Sequence, residues 1–177
     1  ESTISPLHSQ RTAASLHFPI DAHVLHGAGT TLLVDAHGGG YMSRNGIMMT
    51  RFHESCHVPS GMRLYLRDSQ SGSYWSVTDP KLNQTVSYET AQAVFSHERF
   101  SMQSTLRIFV NPLDGTVLHH LTLQNNSNME RMLEICSYLE PTLTSQKDDA
   151  AHPSFQNLFI QTEKLHKYGV CAKRRVR

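Results

Sequence analysis

The sequence predicts an all-β fold, an antiparallel sandwich in a single domain, and three observations carry that prediction. Short runs of β-branched, aromatic and aliphatic residues alternate with polar ones. Turn signals separate these runs at intervals of roughly 8–12 residues. Nowhere does the pattern switch to the βαβ alternation of a parallel sheet. A chain of 177 residues buries roughly 70% of its unfolded surface, which suits one core and not two.

The elements follow in order. Residues 1–29 read as an extended lead-in or linker, and residues 30–177 as the sandwich domain. Thr30 to Ala36 is the first strand, stopped by Gly38-Gly39-Gly40. Ile47 to Phe52 is the next, ended near Pro59-Ser60-Gly61. From Arg63 to Arg67 the parity is clean, with Leu64 and Leu66 on one face and Arg63, Tyr65 and Arg67 on the other. Asp68 to Gly72 then turns the chain into Tyr74-Trp75-Ser76-Val77, which makes a hairpin. Leu106, Ile108 and Val110 alternate before the turn Asn111-Pro112-Leu113-Asp114-Gly115. Val117, His119, Leu121 and Leu123 then share one face up to Asn125. Met129 to Glu140 fits either period, and its place after a strand and turn favours a strand.

Composition excludes several function classes. The 16 basic and 15 acidic residues leave a net charge of +1, so neither nucleic acid nor an anionic membrane is an expected partner. No apolar run approaches the roughly 18 residues of a membrane span. The N-terminus has no apolar signal core. Cys56, Cys136 and Cys171 show no metal or redox spacing, which points to a reducing, cytoplasmic setting.

Motifs with chemistry are few. His53-Glu54-Ser55-Cys56-His57 spells H-E-x-x-H, whose zinc chemistry needs both imidazoles one turn apart on a helix. A zinc hydrolase using His53, Glu54 and His57 therefore requires a helix over residues 50–58. Pro59 and the preceding strand pattern oppose one, so a polar loop is the expectation. Gly38-Gly39-Gly40-Tyr41 lacks the Lys-Ser/Thr of a phosphate loop and reads as a tight turn. His119 and His120 point to opposite strand faces and cannot share a metal. No nucleophile elbow is present. Tyr41, Tyr65, Tyr74 and Trp75 form an aromatic set of the kind that stacks on sugar faces, although such residues most often serve as core. The basic end, Lys173 to Arg177, reads as a solvated strand edge.

A resemblance adds what the residues alone leave open. Gly38-Gly39-Gly40-Tyr41 followed by Thr50-Arg51-Phe52, then Tyr65-Leu66-Arg67-Asp68 with Gly72, Trp75 and Ser76, are similar to elements of the β-supersandwich of glycoside hydrolase family 94. Ser137-Tyr138-Leu139-Glu140 and the stretch from Asp149 to Glu163 continue the likeness, the latter most specifically. Within the family it is nearest to cyclic β-1,2-glucan synthases. The sequence departs where His53 to His57 replaces an Asp-rich segment. It departs again near Arg44, where Ser43-Arg44 stands one position off a Ser-Arg-Trp-like run and the Trp is absent.

The resemblance implies a galactose-mutarotase-like supersandwich, excised from a longer protein and slightly short, since relatives continue past Arg177. It implies a non-catalytic, glycan-handling domain packed against an (α/α)6 barrel, on the cytoplasmic side of an inner-membrane parent that makes cyclic glucan. The expected partners are a β-glucan oligosaccharide, that barrel and a second protomer, with no cofactor. Tyr41, Arg44, Arg51, Tyr65, Arg67 and Trp75 are the expected glycan or docking face. The alternative is a purely structural domain that docks the barrel or a second protomer and never touches sugar.

Overall fold

The computed structural model describes residues 11–12, 21–53, 60–79, 83–167 and 169–175. The strands are β1 (Arg11–Thr12), β2 (Ala22–Gly27), β3 (Thr30–Asp35), β4 (Gly40–Arg44), β5 (Ile47–Thr50), β6 (Arg63–Asp68), β7 (Tyr74–Ser76) and β8 (Thr85–Glu89). They continue with β9 (Gln92–Arg99), β10 (Met102–Val110), β11 (Val117–Asn125), β12 (Leu133–Tyr138) and β13 (Pro141–Thr144). Two short helices follow, α1 (Gln146–Ala151) and α2 (Pro153–Asn157), before the hairpin β14 (Ile160–Leu165) and β15 (Gly169–Arg174).

The strands form a five-stranded sheet in the order β1-β8-β9-β10-β11, a second in the order β13-β5-β4-β3-β2, and a three-stranded sheet β12-β6-β7. All pairings are antiparallel. Period-two alternation makes this possible, because each strand then sends one apolar row inward. β10 shows it over nine residues, every second one buried. The inward rows of all three large sheets meet in one cluster that includes Leu25, Leu32, Leu66, Trp75, Phe95 and Ile108.

The all-β antiparallel expectation holds, and the structure adds to it at two places. Residues 11–12 and 22–27 are strands within the sheets and no lead-in, since β2 pairs along its whole length with β3. The fold also carries α1 and α2, which the all-β pattern did not foresee. Ser145 caps α1 by accepting from Asp148 N, and Pro153 opens α2 where its missing N–H costs nothing.

The glycine-rich segment is a turn, as expected. Asp35 Oδ1 accepts from His37 N and Gly39 N, both at 2.8 Å, and Ser60 Oγ accepts from Gly40 N. The N–H groups that would have cradled an anion are thus occupied within the fold. Gly40 is required for a second reason. Its φ is +131°, and a Cβ there would lie 1.9 Å from Leu33 O.

The sandwich is open along one side. β11 and β12 are edge strands of different sheets. Their inward rows are incompletely covered, so that Val117, His119, Leu121 and Leu123 are half-buried and Ile135 is 60% exposed. Between the layers lies an apolar cavity of about 160 Å3, lined by Leu32, Val34, Met42, Ile108 and Leu139, with His119 in its wall. Burial in that wall pushes the His119 imidazole down to about 4. An unfolded histidine titrates near 6.5, so between these values the unfolded chain binds the extra proton. Stability therefore falls as pH drops from about 6.5 to 4, by on the order of 3 kcal/mol. Replacing His119 with Leu is expected to remove that part of the acid slope. Urea unfolding of both proteins at pH 7 and pH 4.5 measures the difference.

Candidate functional site

Two surfaces collect the candidate residues. The first is the outer face of the three-stranded sheet. Strand parity buries Leu64, Leu66 and Asp68 of β6 and turns Tyr65 and Arg67 outward. Antiparallel register then decides their neighbours, because residues directly opposite share a face. Tyr65 lies opposite Ser76 on one side and Cys136 on the other, while Arg67 lies between Tyr74 and Glu134. Tyr138 sits opposite Arg63 on the same edge. The result is a face with Tyr65 at its centre, Tyr74 75% exposed, and Tyr138 partly exposed. Arg67 Nη1 donates to Glu134 Oε2 at 3.3 Å across the exposed surface. Tyr138 Oη donates to Glu140 Oε1 at 2.6 Å. That hydrogen bond, with Arg51 nearby, holds the Glu140 carboxyl below its ordinary range.

The hairpin behind this face is held by Asp68. Its buried carboxylate accepts from Gln70 N, Ser71 N and Arg131 Nη1. Arg131, first, and then the two backbone donors keep the carboxyl below its ordinary value.

The second surface surrounds Arg51, just past the end of β5. Arg51 is only 8% exposed. Its Nε and Nη2 donate to the two oxygens of Asp149 at 3.0 and 2.8 Å. Nη1 donates to Glu140 Oε2 at 3.2 Å and Nη2 to Asn157 Oδ1 at 2.7 Å. The Asp149 hydrogen bonds raise the guanidinium pKa, against the effect of burial. One side chain thereby joins β5 to α1, α2 and the start of β13. Beside it lies a pocket of about 310 Å3, walled by Met48, Thr50, Phe52, His53, Gln146 and Asp149. Tyr41 packs edge-on against Phe52, with ring centroids 5.6 Å apart.

The six residues expected to form one face are divided by the fold. Tyr65 and Arg67 come together on the three-stranded sheet. Tyr41 and Arg44 belong to β4 and Arg51 follows β5, in the five-stranded sheet β13-β5-β4-β3-β2, and Glu140 links Arg51 to Tyr138. Arg51 is no exposed contact but a buried ion-pair centre. Trp75 lies in the core. It is 3% exposed and packs edge-on against Phe100, because its register partner Leu66 points inward. Conversely, Tyr138, Glu134, Phe52 and Gln146 join these surfaces unforeseen. Tyr138 and Glu134 reach Tyr65 and Arg67 only through a pairing some 70 residues apart in sequence, which no local pattern reveals.

His53 is described and His57 is not. Thr50 ends β5 and Arg51 to His53 are not helical, while Glu54 to His57 lie outside the described residues. Among the described residues no group of three or more His, Cys, Asp or Glu is placed to hold a metal. Cys136 and Cys171 are free thiols. Among the described residues no helix is long and apolar enough to cross a membrane.

Comparison with known proteins now bears on these surfaces. The model of the glycosyl hydrolase 94 supersandwich domain matches residues 11–177. The chain belongs to that family. Its antiparallel sheets and single shared core are the supersandwich, and the match includes β1 and β2 in the domain. A curated relative is the cyclic beta-(1,2)-glucan synthase NdvB of Rhizobium meliloti (strain 1021), 28% identical over 139 residues. That similarity covers 75% of this chain but 5% of NdvB, so the chain spans a small part of the relative's length.

Within this supersandwich the Arg51 cluster makes a direct prediction. Lys cannot offer the forked donors that meet Asp149, Glu140 and Asn157 together. Arg51→Lys is expected to lower stability by about 2–4 kcal/mol. Thermal unfolding followed by far-UV circular dichroism measures it.

Proposed function

We propose that this supersandwich is a non-catalytic, glycan-handling accessory domain of an enzyme like the cyclic β-1,2-glucan synthases. The glycan lies across the outer face of β12-β6-β7. The observation that carries this reading is the gathering of Tyr65, Tyr74 and Tyr138 with Arg67 and Glu134 on one sheet face. Tyrosine rings offer flat apolar surface to the C–H faces of a sugar at small entropic cost, and their hydroxyls stay wet. The arginine and glutamate add donors and acceptors for sugar hydroxyls while cancelling each other's charge, which suits a neutral polymer. The family and the similarity to a glucan synthase support the same reading. A β-1,2-linked glucan is the ligand that the relative's name suggests.

A second reading has its own support. The half-buried inward rows of β11 and β12, with Ile135 uncovered, favour docking of this side against an (α/α)6 barrel or a second protomer. In that case the domain is structural and need not touch sugar.

Titration with linear β-1,2-gluco-oligosaccharides, against β-1,4 oligomers as control, separates the two. Glycan handling predicts saturable calorimetric binding to the β-1,2 series. Tyr65→Ala with Tyr74→Ala is then expected to weaken it about tenfold or more. Heat exchange absent for both series, with the fold intact, favours the docking reading.

A further inference from the structure

The pocket beside Arg51 is built of two kinds of wall. Met48, Phe52 and Ala150 give it an apolar side, and Thr50, His53, Gln146 and Asp149 a polar one. Its volume of about 310 Å3 is at the lower end of small-ligand sites. Phe52 is 38% exposed although aromatic, and Tyr41 braces its ring edge-on. A braced and partly exposed ring is a stacking platform of fixed orientation. The polar wall has capacity left over. His53 Nε2 is enclosed and faces Glu140 Oε2 at 3.6 Å, so the ring backs the wall and lends it shape while Gln146 and Thr50 supply the groups a ligand can reach. The amide of Gln146, on the exposed start of α1, can donate and accept at once. The Thr50 hydroxyl accepts from Met42 N and keeps its proton free to donate.

Charge narrows the ligand class. Arg51, the strongest cation at the site, is matched by two carboxylates, Asp149 and Glu140. A phosphate or a carboxylate entering here would meet no spare positive charge. A neutral molecule with an apolar face and hydroxyls around its rim meets Phe52 on one side and Gln146 and Thr50 on the other, with the His53 ring behind them. We propose that this pocket is a binding site for a single neutral hexopyranose unit, with its ring stacked on Phe52. The proposal rests on the reading of the domain as glycan-handling, but its lining residues differ from those of the tyrosine face, to which Glu140 alone connects them among the contacts described.

The test is a titration of the isotopically labelled full chain with methyl β-D-glucopyranoside, followed by NMR at the Phe52 ring, the His53 ring and the Gln146 amide. Inorganic phosphate is the charged control. Saturable shifts at all three groups with the glucoside, and none with phosphate, are expected. Phe52→Ala should weaken this binding about five- to tenfold. Gln146→Ala, at an exposed position that leaves the core untouched, should weaken it several-fold and keeps the test valid should Phe52→Ala disturb Tyr41. Tyr65→Ala should leave this binding unchanged, so the tyrosine-face reading and the pocket stand or fall apart. Absent shifts at these groups, shifts insensitive to both pocket variants, or an equal response to phosphate would overturn the proposal.

Discussion

The two-point contact of the Arg51 guanidinium with the Asp149 carboxylate is the constraint on which the second half of the molecule depends. Taking a charged guanidinium out of water is costly, and a single acceptor does not offset it. Here Asp149 supplies both oxygens, Glu140 a third and Asn157 a fourth acceptor. Helices of six and five residues have almost no stability of their own. They persist because Asp149 of α1 and Asn157 of α2 are both held from β5. Arg174 of β15 extends the arrangement by donating to Thr142 O of β13 at 3.3 Å. The stretch from Asp149 to Glu163, which carries the most specific family likeness, is thus held to the sandwich by a residue about a hundred positions earlier.

Much of the fold was legible because its information is local. The clean parity of Arg63 to Arg67 placed Leu64 and Leu66 inside, and the five residues between Asp68 and Tyr74 close the expected hairpin. Val117, His119, Leu121 and Leu123 do share the inward face. β2 was obscured because Ala22 to Gly27 mixes two histidines and a glycine with Val24 and Leu25, which weakens the alternation. The helices were readable in part, from Ser145 as cap and Pro153 as first helical residue, but each is too short to establish a helical period. The site was less legible than the fold for a physical reason. Residue type marks Trp75 as a sugar platform, yet strand parity makes it core. Arg51 reads as surface until its partners at 140, 149 and 157 are known.

The two sides of the sandwich differ in chemistry. The outer face of β12-β6-β7 is polar and aromatic, with the Arg67–Glu134 pair and three tyrosines, one of them hydrogen-bonded to Glu140. The side bounded by β11 and β12 exposes the inward apolar rows and a histidine whose neutral form the cavity favours. Asp68 and Arg131 connect them, since the same ion pair that closes the β6–β7 hairpin also fixes the approach to β12. A change at that point reaches both the tyrosine face and the open edge.

The most direct test of the Arg51 constraint is a double-mutant cycle for stability between Arg51→Met and Asp149→Leu, with Arg67→Met and Glu134→Leu as the exposed reference pair. The account predicts a coupling of about 3 kcal/mol for the buried pair and about 0.5 kcal/mol or less for the exposed one. Additive effects at Arg51 and Asp149, equal to those of the surface pair, would contradict it.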